Sequence, residues 1–174
     1  MKTKNEKTCM IILAAILAIS VLSVIPTPVG AQPVEAWNIT WDTGLYDEGY
    51  ATAAAGDCVY LAGDAHGAFL NKYDKDGNLL WNITGGTDWD EGRAIATSGD
   101  NVYLAGNTRG AFLNKYDKDG NLLWNITWRG IVAEGRGTAK SGGRGYLEGG
   151  KNNEAFLNKY DKDGKLTWTT TCGG

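Results

Sequence analysis

An all-β fold of repeated four-stranded antiparallel units is what this sequence predicts, and three observations carry the prediction. Ala68–Thr84, AFLNKYDKDGNLLWNIT, returns unchanged as Ala111–Thr127 and, with substitutions, as Ala155–Thr171. Trp81 precedes Trp124 by 43 residues, Trp124 precedes Trp168 by 44, and Trp37 stands 44 before Trp81; a fixed period of that size marks a repeat architecture. Within each period, short apolar and aromatic runs alternate with turn signals rich in Gly and Asp, without helical spacing of the apolar positions.

The chain has 174 residues and a formal charge of −3. That balance points to neither a nucleic acid nor an anionic membrane surface as partner. Glycine, at 25 residues, is about twice its ordinary share of roughly 7%. With seven Trp and eight Tyr, it fits many short strands joined by tight turns. The apolar content is that of a packed chain, not a disordered one.

Residues 1–31 read as a secretory signal peptide. Lys2, Lys4 and Lys7 form a basic start and Met10–Ile25 an apolar run. Pro26 and Pro28 break any helix, and Val29-Gly30-Ala31 offers small residues for a cut before Gln32. An uncleaved anchor is the alternative, but the 16-residue run falls short of the roughly 20 residues a span needs. A secreted or cell-surface location is therefore expected, with no stable membrane span after cleavage. Cys9 precedes the apolar run and so is not placed for lipid attachment. Cys58 and Cys172 remain as a candidate disulfide, which an oxidising compartment permits. They occupy non-equivalent positions in different repeats, and their separation is not legible from spacing.

After a short leader, Trp37–Trp41 reads as a lone leading strand on its aromatic and β-branched content. The first full unit is residues 49–84, with strands at Tyr50–Ala55, Cys58–Ala62, Ala68–Tyr73 and Asn78–Thr84. Gly56-Asp57 and Asp74-Lys75-Asp76-Gly77 supply tight turns, because Asp and Gly tolerate the left-handed backbone such turns demand. The second unit, 92–127, repeats the plan with Arg93–Thr97, Asn101–Ala105, Ala111–Tyr116 and Asn121–Thr127. Runs such as Val102-Tyr103-Leu104-Ala105 are apolar without alternation, as in strands covered on both faces. Four-stranded sheets stacked face to face around an axis cover them so. The third unit, 135–171, is altered in its first half: Thr138 stands where Ile95 was, Gly145 where Val102 was and Glu148 where Ala105 was. Its glycines predict weak strands and poor local order there, with recovery from Ala155.

The order of parts resembles a β-propeller blade: Asp90-Glu91-Gly92, the Ala94–Thr97 strand, Gly99–Gly106, then Ala111–Trp124. It closely resembles the secreted prokaryotic SBBP-type β-propeller repeat and less closely the NHL repeat, over nearly all of residues 36–172. The resemblance implies that Arg93–Thr97 lines a central channel and Asn121–Thr127 lies outermost. It also implies a secreted or surface module for binding or scaffolding, mostly without assigned activity. Propellers usually close with about four to eight blades, whereas three units and one leading strand are read here. A piece of a longer propeller, two chains joined into one ring by self-association, and an open arc all accommodate that count.

Candidate sites follow. The Asp74–Asn78 and Asp117–Asn121 runs suggest calcium, but the EF-hand loop needs Gly at its sixth position and Glu at its twelfth; a hairpin turn explains them. Asp47, Glu48, Asp90 and Glu91 precede the inner strands of successive units, so their carboxylates are weak candidates for a hard cation such as calcium, against a reading as solvated turns. The third copy has Ala133-Glu134 instead. Asn38, Asn82 and Asn125 head glycosylation sequons on the outermost strand. His66 is the lone histidine, and Arg109 matches it in the next unit, which argues against a metal or acid–base role. No nucleophile–base–orienter set, zinc-type Cys/His spacing or phosphate-cradling Gly motif is found.

The expected function is a non-catalytic extracellular propeller module for a protein or glycan ligand, or for surface scaffolding. The alternatives are a quinoprotein-like propeller enzyme and a truncated remnant. Tyr116–Trp124 is similar to the quinoprotein docking motif but lacks its Thr-Gly pair.

Overall fold

The computed structural model of the protein describes residues 37–44, 46–129 and 133–173; the expected signal peptide lies outside them. The architecture is all-β: three four-stranded antiparallel sheets of propeller-blade type, a partial set rather than a closed one. The first sheet holds β1 (Asp47–Ala55), β2 (Cys58–Ala65), β3 (Ala68–Asp74) and β4 (Leu79–Gly85). The second holds β5 (Glu91–Ser98), β6 (Asn101–Thr108), β7 (Gly110–Asp117) and β8 (Leu122–Arg129). The third holds β9 (Ala133–Ser141), β10 (Arg144–Lys151), β11 (Glu154–Tyr160) and β12 (Leu166–Cys172). Strand order within each sheet follows the sequence. First strands pack on first strands, β5 lying against both β1 and β9. The expected strands of the three units are present, several running longer than read, since Asp47-Glu48 and Gly63–Ala65 join their ladders.

The unalternated apolar runs are explained by the second sheet, which is covered on both faces. Along β6, Val102 and Leu104 turn towards the first sheet and join Tyr60, Ala62 and Leu70. Tyr103 and Ala105, one residue out of phase, turn towards the third and join Leu147, Phe156 and Tyr160. Successive strand side chains point to opposite faces, so a strand between two sheets must be apolar at every position. Each large side chain sealed this way contributes about 1.5–3 kcal/mol.

The Asp-Lys-Asp-Gly turns lock the outer hairpins. The Asp74 carboxylate accepts from the Asp76 and Asn78 main-chain amides at 2.9 and 2.8 Å and from the Asn78 side chain at 2.8 Å. Gly77 takes φ +84°, which an L side chain adopts only with strain. Asp117 and Gly120 repeat the arrangement.

Three expectations are corrected. The glycine-rich strands of the third unit are full length, nine residues in β9 and eight in β10. The ladder is made by main-chain groups, and the flanking β11 anchors it whatever β10 carries. Residues 37–41 form no ladder with the other described strands. Their side chains nevertheless take the outer-strand places: Trp37 donates to the Lys75 carbonyl at 3.0 Å and Trp41 packs on Phe69. Cys58 and Cys172 are both free thiols, one in the first sheet and one in the third with the second sheet between, so no bridge joins them.

Candidate functional site

The first strands β1, β5 and β9 each carry a bulge at the same repeat position. Gly49 pairs with Gly63 and Ala51 with Ala62, which leaves Tyr50 unpaired. Arg93 and Arg136 are skipped in the same way. A bulge adds a residue to one strand and re-aims its side chain. The close approach it forces explains the opposing glycines: a Cβ on Gly63, Gly106 or Gly149 would overlap the carbonyl oxygen of Glu48, Glu91 or Glu134.

These bulges build a ladder of polar groups across the three sheets. Glu48 accepts from the hydroxyls of Tyr46 and Tyr50, the latter at 2.6 Å. The Arg93 guanidinium lies 4.9 Å from the centre of the Tyr50 ring, within cation–π range. Its Nη2 sits 2.6 Å from Glu91 Oε2, and the Asn107 amide donates to the same oxygen at 3.1 Å. Arg136 repeats the pairing with Glu134 at 2.8 Å. The two Tyr hydroxyls, with Arg93 beyond them, hold the Glu48 carboxyl below its usual range. The hydrogen bond to Glu48, then burial, pushes the Tyr50 phenol up. Burial works against the Arg93 charge, but Glu91, Tyr50 and Glu134 outweigh it and raise its pKa, so the field of this site spans adjacent sheets. The ladder offers donors, acceptors and the rings of Tyr46 and Tyr50.

Glu48 and Glu91, both read as weak cation ligands, thus serve donors within the protein. Asp47 and Asp90 each close a loop. Asp47 accepts from the Thr43 amide and hydroxyl at 2.7 and 2.8 Å, and Asp90 from those of Thr87 at 3.0 and 3.3 Å. Among the described residues, no three His, Cys, Asp or Glu side chains gather as a metal site would require. The sequon residues Asn38, Asn82 and Asn125 are all exposed, the last two on β4 and β8. His66 sits at the β2–β3 turn with φ +52° and its Nδ1 is 3.4 Å from an Asp88 oxygen.

Sequence reasoning missed Tyr50, Arg93 and Arg136 as a set. The available signal was a Tyr/Arg/Arg column directly after the shared Gly in each unit. It also missed a lysine cage. Lys72, almost fully buried, lies 5.7 Å from the Tyr60 ring and 5.9 Å from that of Trp81, and donates to the Lys118 carbonyl at 2.7 Å. Lys115 repeats it against Tyr103 and the Lys162 carbonyl.

No family model and no curated protein matches the chain. Solved structures do. A protein of unknown function from Bacteroides caccae superposes with a TM-score of 0.58 at 16% identity, over 79% of this chain and 50% of its own. The computationally designed Ika8 protein gives 0.56 at 16% identity, over 70% of this chain and 36% of its own. A eukaryotic initiation factor gives 0.59 at 9% identity, over 78% and 35%. The chain spans half or less of each of these three structures, and at such identities the likeness concerns the fold alone.

Proposed function

We propose that the chain is a non-catalytic binding module of the SBBP type, working outside the cell and holding a protein or glycan ligand on the face of its inner strands. The observation that carries this reading is the bulge ladder. Tyr50, Arg93 and Arg136 leave the main-chain pairing at one repeat position, each beside a glutamate. Each bulge bends its strand, and three in register also turn side chains out of the ladder on one face, which a binding face can use. Export is supported by the basic, apolar and small-residue order of residues 1–31.

The test is a glycan and peptide array probed with the mature chain and with the Tyr50→Ala/Arg93→Ala/Arg136→Ala variant. Ligands retained by the wild type and lost by the variant, with the melting temperature little changed, support the reading. Equal binding by both proteins overturns the inner-strand face as the site.

A further inference from the structure

The cleft between the first and second sheets is a copy of a place that this chain fills with tryptophan elsewhere. On the outer strands, Trp41, Gly85 and Trp128 occupy equivalent positions, since each ends the Asn-Ile-Thr run. Trp128 reaches from the second sheet to the third and meets Phe156 edge-on, ring centres 4.3 Å apart. Trp41 lies against Phe69 of the first sheet at 6.3 Å. Phe112 is the equivalent ring in the second sheet, and there the first sheet presents Gly85. A Cβ built on Gly85 meets nothing within 4 Å. The result is a cleft of about 250 Å³ lined by Leu70, Ile83, Leu104, Phe112, Asn114 and Tyr116, among others.

The gap registers in the residues around it. Asn71 and Asn158 are sealed, at 0% and 1% exposure, whereas their equivalent Asn114 is only half-buried. Asn114 donates its amide to the Tyr116 hydroxyl at 3.1 Å, as Asn71 and Asn158 do to Tyr73 and Tyr160, and those two leave their carbonyl oxygens without a donor even where tryptophan fills the neighbouring place. Thr108 also lines the cleft and occupies the position of Lys151, which covers the Trp128 ring at 4.9 Å. The side chains of Leu70, Ile83 and Leu104 and the Phe112 ring offered for edge-on packing, bordered by polar Asp90, Thr108 and Asn114, describe a seat for a flat molecule with a polar atom at its edge.

We infer that this cleft binds a free heteroaromatic molecule of indole size, seated against Phe112 where Trp41 and Trp128 sit against Phe69 and Phe156. The volume falls just below the roughly 300 Å³ at which ligand pockets begin, which suits one fused ring pair and excludes larger molecules. The site is independent of the inner-strand ladder.

The probe is 5-fluoroindole, followed by fluorine NMR and by calorimetry against the mature chain. A saturable shift of the fluorine signal is expected in the millimolar range or below. Gly85→Trp should weaken it by roughly tenfold or more while raising the melting temperature, because the new indole fills the cleft from the strand that fills it elsewhere. Trp128→Gly should open a second, equivalent site and raise the stoichiometry. Absence of saturable binding to the wild type, or binding untouched by Gly85→Trp in a folded variant, overturns the assignment.

Discussion

The indole N–H of Trp81 donates to the main-chain carbonyl of Lys118, 3.1 Å away in the next sheet. Trp124 does the same to Lys162 at 3.0 Å, and Trp37 to Lys75 at 3.0 Å. The same three carbonyls belong to the Asp-Lys-Asp-Gly turns, and each ring lies against the turn glycine. One sheet's outer strand is thus pinned to the next sheet's outer turn, at the rim furthest from the inner strands. This contact sits at a fixed place in the repeat, which is why the tryptophan recurs at the period that reveals the fold.

Trp124→Phe keeps much of the ring contact with Tyr103 but deletes the hydrogen bond. It should cost about 1 kcal/mol, and Trp124→Ala, which also empties half-buried volume, roughly 2–3 kcal/mol. Urea titrations of the two variants separate the bond from the packing. Equal losses would show that the packing contributes nothing beyond the hydrogen bond.

The bulges predict a sharp ordering among glycine substitutions. Gly106→Ala drives a methyl into the Glu91 carbonyl and should cost about 3 kcal/mol or more. Gly99→Ala meets open space but sits at φ +52°, so backbone strain alone should cost about 1–2 kcal/mol. Gly150→Ala has open space without that conformation and should stay within about 0.5 kcal/mol. Thermal melts of the three variants check the order, and a Gly106→Ala protein as stable as Gly150→Ala would contradict the bulge geometry.

The strands and turns were legible because their causes are local. The repeated 17-residue segment carries its own hairpin, and Asp74 with Gly77 dictates the turn without help from the rest of the chain. The double-sided apolar strand was legible too, since Val102-Tyr103-Leu104-Ala105 leaves no face for water. The bulges were not, because a skipped residue such as Arg93 depends on how β5 must bend to lie between β1 and β9. The weak third sheet was misread for a related reason: side-chain loss at Gly145 lowers packing but leaves its main-chain ladder intact. The cleft at Gly85 was half legible. Gly85 and Trp128 align in the sequence, but only the facing Phe112 gives that difference a meaning.

Stability should fall in acid through the turn carboxylates. The Asn78 side chain and amide hold the Asp74 carboxyl below its usual range, and Asn121 does the same for Asp117. A depressed folded value means that the contribution is fully present above the unfolded carboxylate pKa and is lost as pH falls through the folded one. The loss is therefore expected below about pH 4. Both groups are exposed, so the effect is modest. Denaturation midpoints across that range should fall less steeply in the Asp74→Asn/Asp117→Asn variant, and a slope equal to the wild type would assign acid sensitivity to other groups.

The outward face of the third sheet repeats the face by which the first two sheets receive their neighbours, with one carboxylate added. Tyr146 and Trp168 pair there at 6.4 Å, and Trp168 is 40% exposed. Glu148 is exposed at the position where Ala62 and Ala105 are fully buried. Covering this face with a second copy would strip water from that carboxylate, a cost of several kcal/mol unless a cation pairs with it. Glu148→Ala should therefore shift the chain towards dimers in sedimentation experiments, with Glu148→Gln between it and the wild type. If all three sediment alike, desolvation of Glu148 is not what limits association, and the shape of the outer strand β12, whose side chains are all exposed, must set the limit instead.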